Sequence, residues 1–90
     1  MRHLRVQGRF EKDLALLDRR GVDLDPVEEI IAKLRRGIAL PANSRPHPLR
    51  GDWLGFKEIH LGGDLIMIYR LTKEELQLVR IGNHSDLFKE

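Results

Sequence analysis

Residues Trp53 to Ile81 read WLGFKEIHLGGDLIMIYRLTKEELQLVRI, and this stretch decides the fold. It contains three runs rich in Ile, Leu, Val and aromatic residues: Trp53 to Leu61, Leu65 to Leu71 and Leu76 to Ile81. Gly62-Gly63 separates the first two, and Thr72-Lys73-Glu74-Glu75 the last two. Runs of this composition bounded by turn residues predict strands, and such short connections predict an antiparallel meander. The middle run, Leu65-Ile66-Met67-Ile68-Tyr69, is apolar on both faces, as a central strand requires. In the first run Lys57, Ile59 and Leu61 share one face, while Phe56, Glu58 and His60 share the other. One face is free to take helices, and the opposite face displays a histidine.

Working back toward the N-terminus, two amphipathic helices are predicted to cover that sheet. Phe10, Leu14 and Leu17 recur at i, i+4 and i+7, which predicts a helix from Arg9 to Arg20 ending at Gly21. Asp25 and Glu28 have the spacing of a capping box around Pro26, and Val27, Ile30, Ile31 and Leu34 follow on one helical face. Lys33, Arg35 and Arg36 complement the dipole of the last turn before Gly37. Ahead of both helices, Leu4 and Val6 alternate with Arg5 and Gln7 as a short strand ended by Gly8. From Ile38 to Asp52 the helical pattern stops, and Pro41, Pro46, Pro48 and Gly51 predict a loop of about fifteen residues, a length that is usually functional. His47 lies between two prolines there, which restricts its backbone.

Composition bounds the rest. Ninety residues make one domain, 1–90, and 41% hydrophobic content is enough for one modest core. The absence of cysteine excludes disulfides and thiolate zinc sites and suits a reducing cytoplasm. No apolar run approaches a signal peptide or a membrane span. Net charge is only +2, yet no acidic residue occurs between Glu29 and Asp52. Lys33, Arg35, Arg36, Arg45 and Arg50 fall in that interval, and with Lys57 they form a candidate RNA-binding set.

The candidate reactive residues are His47, His60, Asp64, Arg80 and His84, each at a strand end or in a connection beside the sheet. Metal-free cleavage of an RNA phosphodiester needs a base for the ribose 2′-OH, an acid for the 5′ oxygen and a cation for the phosphate. Histidines and an arginine supply all three, because imidazole titrates near neutrality and guanidinium forks onto phosphate oxygens. Three histidines with Asp64 also suit zinc, but no two sit at the i, i+4 spacing of a helical zinc motif. A Ser–His–Asp site at Ser85-Asp86 lacks the Gly-x-Ser-x-Gly elbow.

Several motifs then resemble the YafQ family of toxins, in the RelE/ParE superfamily of bacterial type II toxin–antitoxin systems. They are Lys-Asp-Leu at 12–14, Arg-Gly-x-Asp-Leu at 20–24, His-Pro-Leu-x-Gly at 47–51, Lys-Glu-x-His-Leu at 57–61 and Asp-Leu-x-x-Ile-Tyr at 64–69. The most specific is Val-Arg-x-Gly-x-His-Ser-Asp-Leu-Phe at 79–88. The resemblance implies a RelE-like α+β fold, an N-terminal strand and helical hairpin packed on one face of a mostly antiparallel sheet. It also implies a ribosome-dependent mRNA endoribonuclease without a cofactor, whose catalytic set matches His47, His60, Asp64, Arg80, His84 and Phe88. Its implied partners are the ribosome and mRNA and a cognate antitoxin, two toxins around an antitoxin dimer, with operator DNA contacted only through the antitoxin. Phe56-Lys57 stands where the family usually has Tyr-Arg, and Gly62-Gly63-Asp64-Leu65 where it usually has Glu-Pro-Asp-Trp, so an aromatic platform for a base is absent at Leu65.

Two other functions are open to the sequence: a non-catalytic toxin that poisons a topoisomerase by binding, and a metal-dependent hydrolase. A shared acid–base site makes a geometric demand on the glycine turn. A three-residue loop, Leu61-Gly62-Gly63, with a bulge sets His60 directly across from Asp64 on the face away from the helices, with His84 and Arg80 close by.

Overall fold

The computed structural model describes residues 1–88. In chain order the elements are β1 (His3–Val6), α1 (Gly8–Arg19), α2 (Asp25–Arg36), β2 (His47–Pro48), β3 (Lys57–His60), β4 (Ile66–Leu71), β5 (Glu75–Gly82) and α3 (His84–Phe88). Two 3₁₀ turns, Ala42–Ser44 and Gly51–Trp53, lie on either side of β2. The five strands form one sheet in the order β1-β5-β4-β3-β2. β1 runs parallel to β5 and every other neighbouring pair is antiparallel. The α+β architecture expected from the sequence is therefore the observed one, with the doubly apolar β4 in the middle.

The helical hairpin packs on one face. Phe10 and Leu17 of α1 and Val27, Ile30 and Leu34 of α2 are buried against Ile59, Met67, Tyr69, Leu76, Leu78 and Ile81. Met67 and Tyr69, like Leu76 and Leu78, alternate along their strands, a register shift after Leu78 returns Ile81 to the same face, and the helical residues repeat along one stripe, so both periodicities meet in a single core. Burial pushes the Tyr69 phenol up, which keeps it neutral inside that core. A second, smaller cluster lies on the opposite face, where Ile66, Ile68 and Leu87 are buried beneath Leu49, Trp53, Phe56, Val79 and Phe88.

Local details correct the sequence reading in four places. Asp25 begins α2 rather than capping it, because Leu24 holds the cap position with no side-chain bond, and Asp23 Oδ1 accepts the Asp25 N–H at 3.0 Å. The first strand-like run shortens to Lys57–His60, since Gly51–Trp53 coils into a 3₁₀ turn and Gly55 takes φ 95°. The long connection contributes an edge strand of its own, His47–Pro48, at a position where proline is tolerated because the outer edge needs no donor. Finally, the chain beyond Gly82 turns into the short helix α3, which periodicity over five residues is too brief to reveal.

Candidate active site

Register places the site. His47 lies opposite Glu58, Glu58 opposite Ile68 and Ile68 opposite Arg80, forming one row across the sheet. The adjacent row is His60, Ile66 and Gly82. Ile66 and Ile68 belong to the cluster away from the helices, so Glu58 and His60 share that face. Two residues past Gly82, α3 begins at His84. Asn83 starts it by accepting the Asp86 N–H on Oδ1 at 2.7 Å, which is the work of an N-cap side chain.

Three histidines converge on one carboxylate. Glu58 Oε2 lies 3.1 Å from His47 Nε2 and 3.8 Å from His60 Nε2, and Oε1 lies 3.5 Å from His84 Nε2. Ring centroids are 6.0 Å apart for His47 and His60 and 6.3 Å apart for His60 and His84. Glu58 is only 4% exposed, and a buried carboxylate is costly unless positive or donor groups compensate it. The imidazoles are those groups. The His47 contact is within hydrogen-bonding distance, while the two longer ones are of the length that water bridges. His47 Nδ1 lies 3.1 Å from the Arg45 carbonyl, so both its ring nitrogens face oxygen and the ring orientation is set.

Besides Glu58, two contacts hold His84. Its ring stacks on Phe88 with centroids 5.8 Å apart, and its Nδ1 lies 3.6 Å from Asp64 Oδ1. Phe88 in turn meets Trp53 edge-on at 6.3 Å, and Trp53 meets Phe56 edge-on at 5.8 Å. An aromatic wall therefore borders the histidines.

The glycine turn has an odd loop, but its frame is one residue later than expected. The Leu61 N–H donates to the Leu65 carbonyl at 2.9 Å and the Leu65 N–H to the Gly62 carbonyl at 3.1 Å, which makes the loop Gly62-Gly63-Asp64. Both glycines have positive φ, 112° and 54°, a region that costs glycine little. His60 consequently opposes Ile66 rather than Asp64, and Asp64 sits in the loop with its side chain 73% exposed. Asp64 thus joins the site through His84. Leu65, where an aromatic platform was in question, packs against the main core.

Arg80 is engaged elsewhere. Its Nε donates to Asp13 Oδ2 at 2.7 Å and its Nη2 to Asp13 Oδ1 at 3.2 Å, whereas the histidines gather on a different carboxylate, Glu58. The candidate RNA-binding residues do not form one group. Arg45 and Arg50 flank His47 along the chain, whereas Lys57, opposite Pro48, shares the strand face of the core residue Ile59, away from Glu58 and His60. Arg35 donates through Nε to the Arg2 carbonyl beside β1, at the opposite edge of the sheet, and Lys33 pairs with Glu29 at 3.3 Å.

Glu58 and Asp13 are the residues that sequence reasoning did not select. Glu58 stands two positions before His60 and so shares its strand face. Asp13 directly precedes the core residue Leu14. Neither position reveals its partners, which for Glu58 include residues on β2 and α3 and for Asp13 lie 67 residues away along the chain.

His47, Glu58 and His60 offer ligand atoms within 4.8 Å of one another. Donors of this kind suit a transition metal. They come from adjacent strands, so helical i, i+4 spacing does not reveal them.

A helical hairpin on a five-stranded sheet, with a histidine cluster on the uncovered face, is the form of a bacterial type II toxin–antitoxin toxin. The model described as "Bacterial toxin of type II toxin-antitoxin system, YafQ" matches residues 2–89, and the chain belongs to that family. It is 34% identical over 88 residues to the mRNA interferase toxin YafQ of Escherichia coli K12, covering 97% of this chain and 96% of that one. The metal-bound toxin from Helicobacter pylori is 36% identical, with TM-score 0.91 over 98% of this chain and 100% of that one. YafQ in the E. coli DinJ–YafQ toxin–antitoxin complex is 34% identical, with TM-score 0.89 over 97% of each chain.

Proposed function

We propose that this chain is an mRNA interferase, a ribosome-dependent endoribonuclease and the toxin of a toxin–antitoxin pair. The observation that carries the reading is the convergence of His47, His60 and His84 on the buried Glu58. One histidine takes the proton of the ribose 2′-OH as that oxygen attacks phosphorus, and another returns a proton to the departing 5′ oxygen. Glu58 orients the rings and stabilises whichever of them is cationic during the transfer. Asp64 steadies His84, Phe88 walls in a base, and the unused N–H groups of Arg80 meet the phosphate. The products are a 2′,3′-cyclic or 3′ phosphate and a 5′ hydroxyl. A topoisomerase poison has no use for such a set.

The test is cleavage of mRNA on washed, programmed ribosomes, with 5′ ends mapped and their chemistry determined. New ends bearing 5′ hydroxyls are expected, and intact mRNA or 5′ phosphates would overturn the mechanism. A metal-dependent hydrolase is the second reading, favoured by the His47–Glu58–His60 donors and by the metal-bound H. pylori relative. A metal seated there occupies the imidazoles that proton transfer needs, so the two readings respond oppositely to chelation. With EDTA pretreatment and magnesium restored to the ribosomes, acid–base cleavage persists and metal-dependent cleavage is lost.

RNA contact is assigned first to Arg45 and Arg50, because they flank His47 along the chain. Replacing both by glutamine is expected to lower the slope of log affinity against log salt by roughly 1.4, at about 0.7 per phosphate contact on a single strand. The maximal rate should be spared. The same change at Lys33, Arg35 and Arg36 is expected to alter the slope less, and a larger effect there would reverse the assignment.

The partner is an antitoxin, by analogy with the DinJ–YafQ complex of the E. coli relative, and the cationic groups beside His47 suit an acidic one. Two toxins around an antitoxin dimer, touching operator DNA only through the antitoxin, is the assembly to be checked by the mass of the co-expressed complex. Among the described residues no helix is long and apolar enough to cross a membrane, and work on ribosomes locates the toxin in the cytoplasm.

A further inference from the structure

We propose that Asp13 is a positioning residue for Arg80, through which α1 sets the phosphate contact of a site otherwise built from β2, β3, β5 and α3. The inference rests on Arg80 acting on the phosphate. Two irregularities of β5 create the arrangement. The first is a bulge. Tyr69 opposes Leu78 but Ile68 opposes Arg80, with a register shift between them that leaves Val79 as the extra residue. Without the shift Arg80 would oppose Met67, whose side chain lies in the main core. The bulge therefore turns Arg80 out of the core, as bulges re-aim side chains.

The second irregularity is a missing neighbour. β1 accompanies β5 only as far as Val6 opposite Leu78, so among the described residues the outer edge of β5 beyond that point has no strand beside it. Asp13 takes the place of one. Its Oδ2 accepts the Ile81 N–H at 3.1 Å and the Arg80 Nε–H at 2.7 Å, and its Oδ1 accepts from Nη2 at 3.2 Å. The paired side chains are 15% and 13% exposed, which makes this a sheltered fork rather than a screened surface pair. Two of the five guanidinium N–H groups are used, and three remain on Nη1 and Nη2 for a phosphate. One carboxylate thus ties α1 to the strand edge and orients the guanidinium plane.

The test compares Asp13→Asn and Asp13→Glu in the wild-type and Arg80→Ala backgrounds, reading the single-turnover rate on saturating ribosomes, KM, antitoxin binding and Tm. Asp13→Asn is expected to lower the maximal rate roughly 10- to 100-fold, the cost of a misplaced group, with KM changed less than about twofold and antitoxin still bound. Asp13→Glu keeps the charge but displaces it, and is expected to lower the rate while retaining Tm, so the question survives if the asparagine variant folds poorly. In the Arg80→Ala background neither change should lower the rate further, because coupled residues are not additive. The same loss in both backgrounds would show that Asp13 acts through the fold, and an unchanged or increased rate in Asp13→Asn would show that it does not aid Arg80; either overturns the proposal. An Arg80→Ala rate equal to wild type would instead remove Arg80 from the chemistry, and the role of Asp13 with it.

Discussion

His84→Ala is expected to lower maximal mRNA cleavage by roughly 10²- to 10⁴-fold, the range for a lost acid–base group, while antitoxin binding and folding persist. The imidazole is 45% exposed, rests on Phe88 and reaches both Glu58 and Asp64. It has no place in the main core, and His47 and His60 still face Glu58 when it is removed, so the loss of stability is expected to stay near the worth of one hydrogen bond, about 1 kcal/mol. Single-turnover rates on programmed ribosomes, together with Tm and antitoxin capture, separate chemistry from folding. A wild-type rate in a folded variant would exclude His84 from proton transfer and leave His47 and His60 as the acid–base pair.

Glu58→Gln is expected to lose activity on a similar scale, roughly 10²- to 10⁴-fold, as when a buried carboxylate that orients a catalytic histidine is neutralised. Its effect on stability should run the other way. Glu58 is 4% exposed, and burying a charge is often less favourable than burying a neutral group of the same shape. The amide keeps that shape without the desolvation cost, so Tm is expected to hold or rise as activity falls. This opposition is the mark of a residue retained for function at the expense of stability. A Tm that drops together with the rate would make Glu58 a structural residue, with its ion pairs supporting the sheet.

Parts of this site were legible in the chain and parts were not. His47, His60 and His84 were recognisable as reactive types at element ends, and the motif from Val79 to Phe88 placed Arg80, His84 and Phe88 together along the sequence. Glu58 was visible only as a face-mate of His60. Its role depends on β2 lying beside β3, a pairing made by two residues, His47 and Pro48, within a stretch that reads as loop. Asp64 was assigned to His60 from an assumed turn frame. The observed loop begins one residue later, which moves the carboxylate out of the strand and toward His84.

By itself the sequence determined the α+β class, the helical hairpin, the doubly buried central strand and the resemblance to a toxin family. Each of these rests on local periodicity, turn chemistry or contiguous motifs, all of which operate within a few turns or strands of chain. Only the tertiary structure decided the gathering of three histidines on Glu58, the placement of Arg35 beside β1 and away from the histidines, and the attachment of Arg80 to α1. Those depend on strand order, on a bulge between Leu78 and Arg80 and on where β1 stops, and a one-residue change in any such register carries a side chain to the other face.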